Sequence, residues 1–153
     1  MRKKLVISVL ILFVLTCLIT LAFSGKKETA KVLGEKVAVI YVDGVITNSS
    51  SKGLWGEVGG SESIINQLHK ASEDSSVKAI VLRINSPGGS TGATQEVGEE
   101  IKKIRAKGKL IYTSMGDVTA SGGYWLAACT DKIYANSSTI TGSIGVYMPY
   151  SNW

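Results

Sequence analysis

Val77-Lys78-Ala79-Ile80-Val81-Leu82-Arg83-Ile84 runs straight into Asn85-Ser86-Pro87-Gly88-Gly89-Ser90. The first eight residues are mostly apolar and rich in β-branched side chains, the composition of a buried strand. The next six form a turn, because proline fixes its own φ and glycine accepts positive φ without strain. Beyond the turn the apolar spacing becomes helical. Val97, Ile101 and Ile104 share one face over 94–106, opposite Glu99, Lys102 and Lys103, and Gly108 ends the helix. A strand, a glycine turn and a helix thus follow in order.

The same unit recurs on both sides. Upstream, Val37-Ala38-Val39-Ile40-Tyr41-Val42 reads as a buried strand closed by Asp43-Gly44. A Ser/Gly-rich loop over 48–60 carries Leu54, Trp55 and Val58. A helix over 62–71 follows, with Ile64, Ile65, Leu68 and Ala71 on its apolar face. Downstream come a strand over 109–115, a short helix over 121–128, a strand over 132–135 and an extended or turning segment over 139–148. Alternating strands and helices predict parallel strands joined by right-handed crossovers, an α/β domain. Both glycine turns then fall at the carboxyl ends of strands, where open α/β sheets place their sites.

The second turn, Val118-Thr119-Ala120-Ser121-Gly122-Gly123-Tyr124-Trp125, holds the candidate nucleophile. Ser121 sits where a strand hands over to a helix. Glycines there let a substrate backbone approach, and a helix N-terminus offers unpaired N–H groups to a developing oxyanion. The plain alternative is that Ser121 is a helix N-cap. Likewise, strand-Pro-Gly-Gly is often only a tight turn. Taken together, the two turns supply a nucleophile and two sources of backbone N–H, from Gly89 and from Ser121 or Gly122. A third motif, Thr141-Gly142-Ser143-Ile144-Gly145-Val146, follows.

The rest of the composition narrows the partners. The 153 residues carry 17 Lys+Arg against 12 Asp+Glu, a formal net charge of +5. Much of the excess flanks an uncharged run over 5–23: Arg2, Lys3 and Lys4 before it, Lys26, Lys27 and Lys31 after it. No basic stripe with interleaved aromatics is present, so nucleic acid is not an expected partner. The nineteen-residue run would span roughly 28 Å as a helix, close to bilayer thickness. Its length favours a signal-anchor over a cleaved signal peptide ending near Ala22-Phe23-Ser24, and Thr16 fits poorly before a lipobox Cys17. The expected organisation is a transmembrane segment over 1–24, a polar tether over 25–36 and the N-terminal part of an α/β domain over 37–153. Cys17 and Cys129 belong to different parts, so no disulfide joins them, and no metal or cofactor is expected. His69, the only histidine, reads as a surface residue of its helix. Lys132, beside Asp131, reads as a solvated charge.

The anchor, the strand ending in Asn-Ser-Pro-Gly-Gly, then Ala-Ser-Gly-Gly-Tyr-Trp and Thr-Gly-Ser-Ile-Gly-Val resemble the bacterial signal peptide peptidase A (SppA) family. That family is a branch of the Clp-protease/crotonase-like superfamily. The resemblance covers 37–153. It implies a crotonase-like parallel sheet with crossover helices, present only in part. It also implies a membrane-bound serine–lysine endopeptidase, facing away from the cytoplasm, that degrades spent signal peptides as a homo-oligomer. Ser121 matches the nucleophile, Gly89 the oxyanion glycine with Gly122 beside it, and Ser143 a serine that positions the lysine. The lysine itself matches nothing here and is expected past Trp153, so the 153 residues alone are expected to be inactive. NfeD-type membrane serine peptidases share strand-Pro-Gly-Gly but carry Ala-Ser-Ala-Gly at the serine, and Gly122-Gly123 argues against them. An anchored, catalytically inert interaction protein on the same core is the alternative outside the enzymes.

Overall fold

The structure, a computed structural model, describes residues 2–23, 34–48, 51–53, 56–58, 60–146 and 151. It divides into two units, 1–33 and 34–153. In the first, helix α1 spans Arg2–Phe23 and its described side chains are exposed. Among the described residues, no helix is long and apolar enough to cross a membrane. Most of the expected tether, 25–33, lies outside the described residues, as do Leu54 and Trp55.

The second unit is α/β. Strand β1 (Lys36–Asp43) leads through a short antiparallel hairpin, β2 (Ser51–Gly53) and β3 (Gly56–Val58), to helix α2 (Ser61–Glu73). Then follow β4 (Val77–Ser86), α3 (Thr91–Ala106), β5 (Leu110–Ala120), α4 (Gly122–Ala128), β6 (Lys132–Tyr134) and β7 (Ile140–Gly142). The main sheet runs β1-β4-β5-β6, with β7 also on β5, and every pairing in it is parallel. The hairpin was not anticipated in the Ser/Gly-rich loop. Helix α3 starts three residues before the expected 94, because the Ser90 side chain caps it by accepting from the Ala93 N–H at 3.4 Å.

Each crossover moves to the next strand in the same direction, which stacks the helices on one face. Ile40, Val42, Ile80, Leu82, Ile84 and Ile111 point into that face and are at most 3% exposed. Leu68 of α2, Val97, Ile101 and Ile104 of α3, and Leu126 of α4 close over them. The expectation of a fully buried β1 is corrected here. Val37, Val39 and Tyr41 point to the other face and are 49–62% exposed, and Leu110 and Tyr134 are 48% and 54% exposed. The Tyr112 and Tyr134 rings pack edge-on there, centroids 6.5 Å apart. Parallel sheets are ordinarily covered on both sides; among the described residues this sheet is covered on one.

The end of α3 is clamped to the sheet by charge. Arg105 donates from Nε and Nη2 to Asp131 Oδ1 at 2.8 and 2.6 Å, and from Nη1 to the Cys129 carbonyl at 2.7 Å. Asp131 Oδ2 accepts from the Ile111 N–H at 2.8 Å, at the start of β5. The Arg105 hydrogen bond, then that of Ile111, hold the Asp131 carboxyl below its usual pKa. A depressed carboxylate pKa adds stability that is complete above the unfolded-state value, about 3.9, and is lost as pH falls through the folded value. Asp131→Asn should therefore cost roughly 1–3 kcal/mol at neutral pH. It should also flatten the acid limb of a stability-against-pH curve measured by urea unfolding; an unchanged acid limb would count against the clamp.

Candidate active site

Three turns meet at the carboxyl end of the sheet. The first follows β4. Gly88 has φ +98°, and a Cβ built on it would lie 2.7 Å from the Gly122 nitrogen and 2.8 Å from the Ser121 Cβ. Only a residue without a side chain fits between them. Ser86, fully buried, braces the turn by accepting from the Gly88 N–H through Oγ at 3.0 Å. Next to it, Gly89 lies so close to Ile46 that a Cβ there would run into the Ile46 backbone. Ile46 donates to the Gly88 carbonyl at 2.9 Å and accepts from Ser90 at 2.8 Å, a short parallel bridge in which the Gly89 N–H takes no part.

The second turn follows β5. Ser121 has φ 52° and ψ −120°, a region non-glycine residues seldom occupy, and it is half-exposed. Its side chain makes no cap hydrogen bond, so the plain reading of an N-cap serine does not describe it. Its carbonyl accepts from the Trp125 N–H at 2.9 Å and starts α4. The Gly122 N–H is then the first of the helix and has no carbonyl four residues back. A Cβ on Gly122 would lie 2.6 Å from Thr94 Oγ1, and one on Gly123 would lie 3.0 Å from the Ser86 carbonyl, so both glycines let α4 seat against α3 and β4.

The third turn follows β7. The Ser121 N–H donates to the Gly142 carbonyl at 2.8 Å. Ser143 comes next, exposed, with φ 53°. Ile140, Ile144 and Val146 flank it, 66–86% exposed. Ser121, Gly89, Gly122 and Ser143, distant in sequence, are thus brought to one end of the sheet.

The other candidates lie elsewhere. His69 Nε2 pairs with Glu100 Oε2 at 3.0 Å on the outer faces of α2 and α3. Lys132 is exposed, its amine 5.2 Å from the Tyr134 ring centre. Cys129 is buried at the end of α4, and that burial pushes its thiol pKa up, away from reactivity. A cavity of about 360 Å³ lies at the amino ends of β4 and β5, lined by Val77, Lys78 and Lys109 among others, opposite the three turns.

Sequence reasoning passed over the polar residues that hold the turns: Asn85, Ser86, Thr94, Thr119 and Thr141. Their signal was position alone, small hydroxyl or amide residues in or within four places of a turn. The Thr94 contact carries a test. Gly122→Ala should lower stability by roughly 1–3 kcal/mol through overpacking against Thr94. Thr94→Ala in the same chain should recover part of the loss, so that thermal unfolding of the double variant shows non-additivity. Strict additivity would mean that the two residues do not touch.

The sequence pattern of peptidase family S49 matches residues 103–153. Protease 4 of Haemophilus influenzae is 45% identical over 112 residues, which are 73% of this chain and 18% of that protein. Protease 4 of Salmonella typhi is 44% identical over 114 residues, 74% of this chain and 18% of that protein. A putative signal peptide peptidase SppA of Enterococcus faecium is 38% identical over 120 residues, 78% of this chain and 35% of that protein. The chain therefore spans well under half the length of these relatives. The likeness runs through most of the α/β unit, and on it the chain belongs to the SppA family of serine peptidases, peptidase family S49.

Proposed function

We propose that this chain supplies the nucleophile and oxyanion half of a serine endopeptidase with a serine–lysine dyad. The observation that carries the reading is Ser121 itself: a half-exposed serine at φ 52°, wedged against Gly88 and tied through its N–H to Gly142. A strained backbone at one serine, braced on two sides by glycine turns, is the kind of place where a reactive hydroxyl is held.

In the proposed reaction, Ser121 Oγ attacks the scissile carbonyl carbon while its proton passes to a neutral lysine amine. The carbonyl oxygen takes up the negative charge and is met by the N–H groups of Gly89 and Gly122. Collapse expels the amine half of the peptide, which takes the proton back, and leaves an acyl ester on Ser121. Water then releases the acyl group by the same steps. Each oxyanion donor is worth roughly 2.7–4 kcal/mol of barrier. The base must be a buried, neutral amine. The described lysines with assigned contacts serve other partners, Lys132 among them, and we assign the base to a lysine beyond residue 153, positioned by Ser143. On this reading the 153 residues alone do not turn over peptide.

The substrate class we propose is extended apolar peptide, with released signal peptides as its natural source. The exposed Ile140, Ile144 and Val146 beside Ser143 support it, since they offer apolar contacts along a bound strand. The uncharged run over 5–23 supports a single-pass anchor that keeps the domain at the outer membrane–water boundary. The uncovered sheet face supports association of several copies. Relatives named as proteases favour this over an inert interaction protein.

The test uses the complete protein and an unstructured apolar peptide. Ser121→Ala should reduce kcat by at least about a thousandfold, with folding and KM retained. Wild-type turnover by that variant would remove Ser121 from the reaction. Faster cleavage of charged, folded substrates than of the apolar peptide would remove the substrate class.

A further inference from the structure

The strand that delivers Ser121 is irregular. Along β4, Ile84 pairs with Met115, and two residues later Ser86 pairs with Thr119. In the same interval β5 advances by four, so Gly116 and Asp117 are two extra residues bulged out of the ladder. The bulge is also where β5 changes neighbour: below it Tyr112, Thr113 and Ser114 pair with β6, above it Val118, Thr119 and Ala120 pair with β7. Bulges beside sites re-aim the residues that follow them. Here those residues are Thr119, Ala120 and Ser121.

A bulge breaks ladder hydrogen bonds and loosens the strand after it. Side chains fill the break: Arg83 Nη1 donates to the Met115 carbonyl at 2.7 Å and Thr139 Oγ1 to the Gly116 carbonyl at 2.9 Å, and Asn85 takes the strand that follows. Asn85 Oδ1 accepts from the Val118 N–H at 3.1 Å. The Asn85 Cβ, Cγ and Oδ1 atoms rest on Gly116, where a Cβ would come within 2.9 Å of all three. The Asn85 carbonyl also accepts from the Gly44 N–H at 3.0 Å, at the end of β1. Asn85 stands directly before Ser86-Pro87-Gly88-Gly89 and three residues from Ser121 through Val118. It is therefore joined to both turns at once.

We propose that Asn85 is a positioning residue for the reaction. It locks the bulge of β5, and thereby holds the Ser121 turn in register with the Gly88–Gly89 turn. The proposal rests on the reading of Ser121 as nucleophile. Thr119, whose Oγ1 donates to the Ile84 carbonyl at 2.9 Å, and Thr141, whose Oγ1 donates to the Thr119 carbonyl at 2.7 Å, continue the same brace toward β7. They do not reach across the bulge, and Asn85 does.

The test compares Asn85→Ala, Asn85→Asp and Gly116→Ala in the complete protein. Two readouts are taken: kcat and KM on the apolar peptide, and amide hydrogen exchange at Val118 and Ser121. Asn85→Ala should lower kcat about tenfold, the size of one lost hydrogen bond, with KM within about twofold. Exchange at both amides should quicken by a similar factor. Gly116→Ala, which pushes the Asn85 side chain off its seat, should do the same. Asn85→Asp keeps the acceptor and should restore both readouts. Wild-type kcat in Asn85→Ala, a loss confined to KM, or failure of Asn85→Asp to rescue would each overturn the proposal. If Ser121→Ala proves fully active, the nucleophile reading fails separately and exchange alone decides: quicker exchange in Asn85→Ala upholds the brace, unchanged exchange overturns it.

Discussion

The constraint on which this site depends is a contact between two backbones. Gly88 and the Ser121–Gly122 peptide approach so closely that a methyl group on Gly88 would sit 2.7 Å from the Gly122 nitrogen. Neither turn reaches this arrangement alone. Proline and two glycines shape the first, a bulged strand aims the second, and the hydrogen bond from Ser121 to Gly142 holds the second from its far side. Contact between backbones suits a site that must present N–H groups to a carbonyl oxygen, because backbone donors are fixed before the reaction begins and need no reorganisation during it.

The sheet beneath is organised around that end. All crossovers run the same way, so one face carries the helices and buries Ile80, Leu82, Ile84 and Ile111 almost completely. The rigidity of that packed side is what lets a strained serine persist, since surrounding structure must over-determine an unfavourable backbone. The opposite face keeps Val39, Tyr41 and Tyr134 in contact with solvent. The molecule therefore combines a well-packed frame for its turns with an apolar surface suited to further contacts.

Much of this is legible in the residues, and the reasons for the rest are physical. The apolar runs of β1 and β4 and the helical spacing of Val97, Ile101 and Ile104 give the alternation directly, because burial writes itself as periodicity. The motif Ala-Ser-Gly-Gly marks the second turn for the same reason that any tight approach does, through glycine. Three features escape. β5 reads as ending at Met115, because Gly116-Asp117 looks like a stop, whereas Asn85 supplies from another strand the hydrogen bond that carries it to Ala120. The hairpin hides in a Ser/Gly-rich stretch whose composition suits loop and turn alike. The bare face of β1 is invisible locally, since a continuous apolar run says that a strand has two apolar faces and not what lies against each. The role of Thr119 is likewise non-local, set by the Ile84 carbonyl 35 residues away.

As the proposed nucleophile, Ser121 attacks a carbonyl whose oxygen is received by Gly89 and Gly122. The most direct measurement of this attack is the crystal structure of the complete protein after reaction with a peptide boronate carrying apolar side chains. Boron should be bonded to Ser121 Oγ, with one boronate oxygen within hydrogen-bond distance of both the Gly89 and the Gly122 N–H groups. A boronate bonded to any other residue, or one on Ser121 with both oxygens turned away from these glycines, would contradict it.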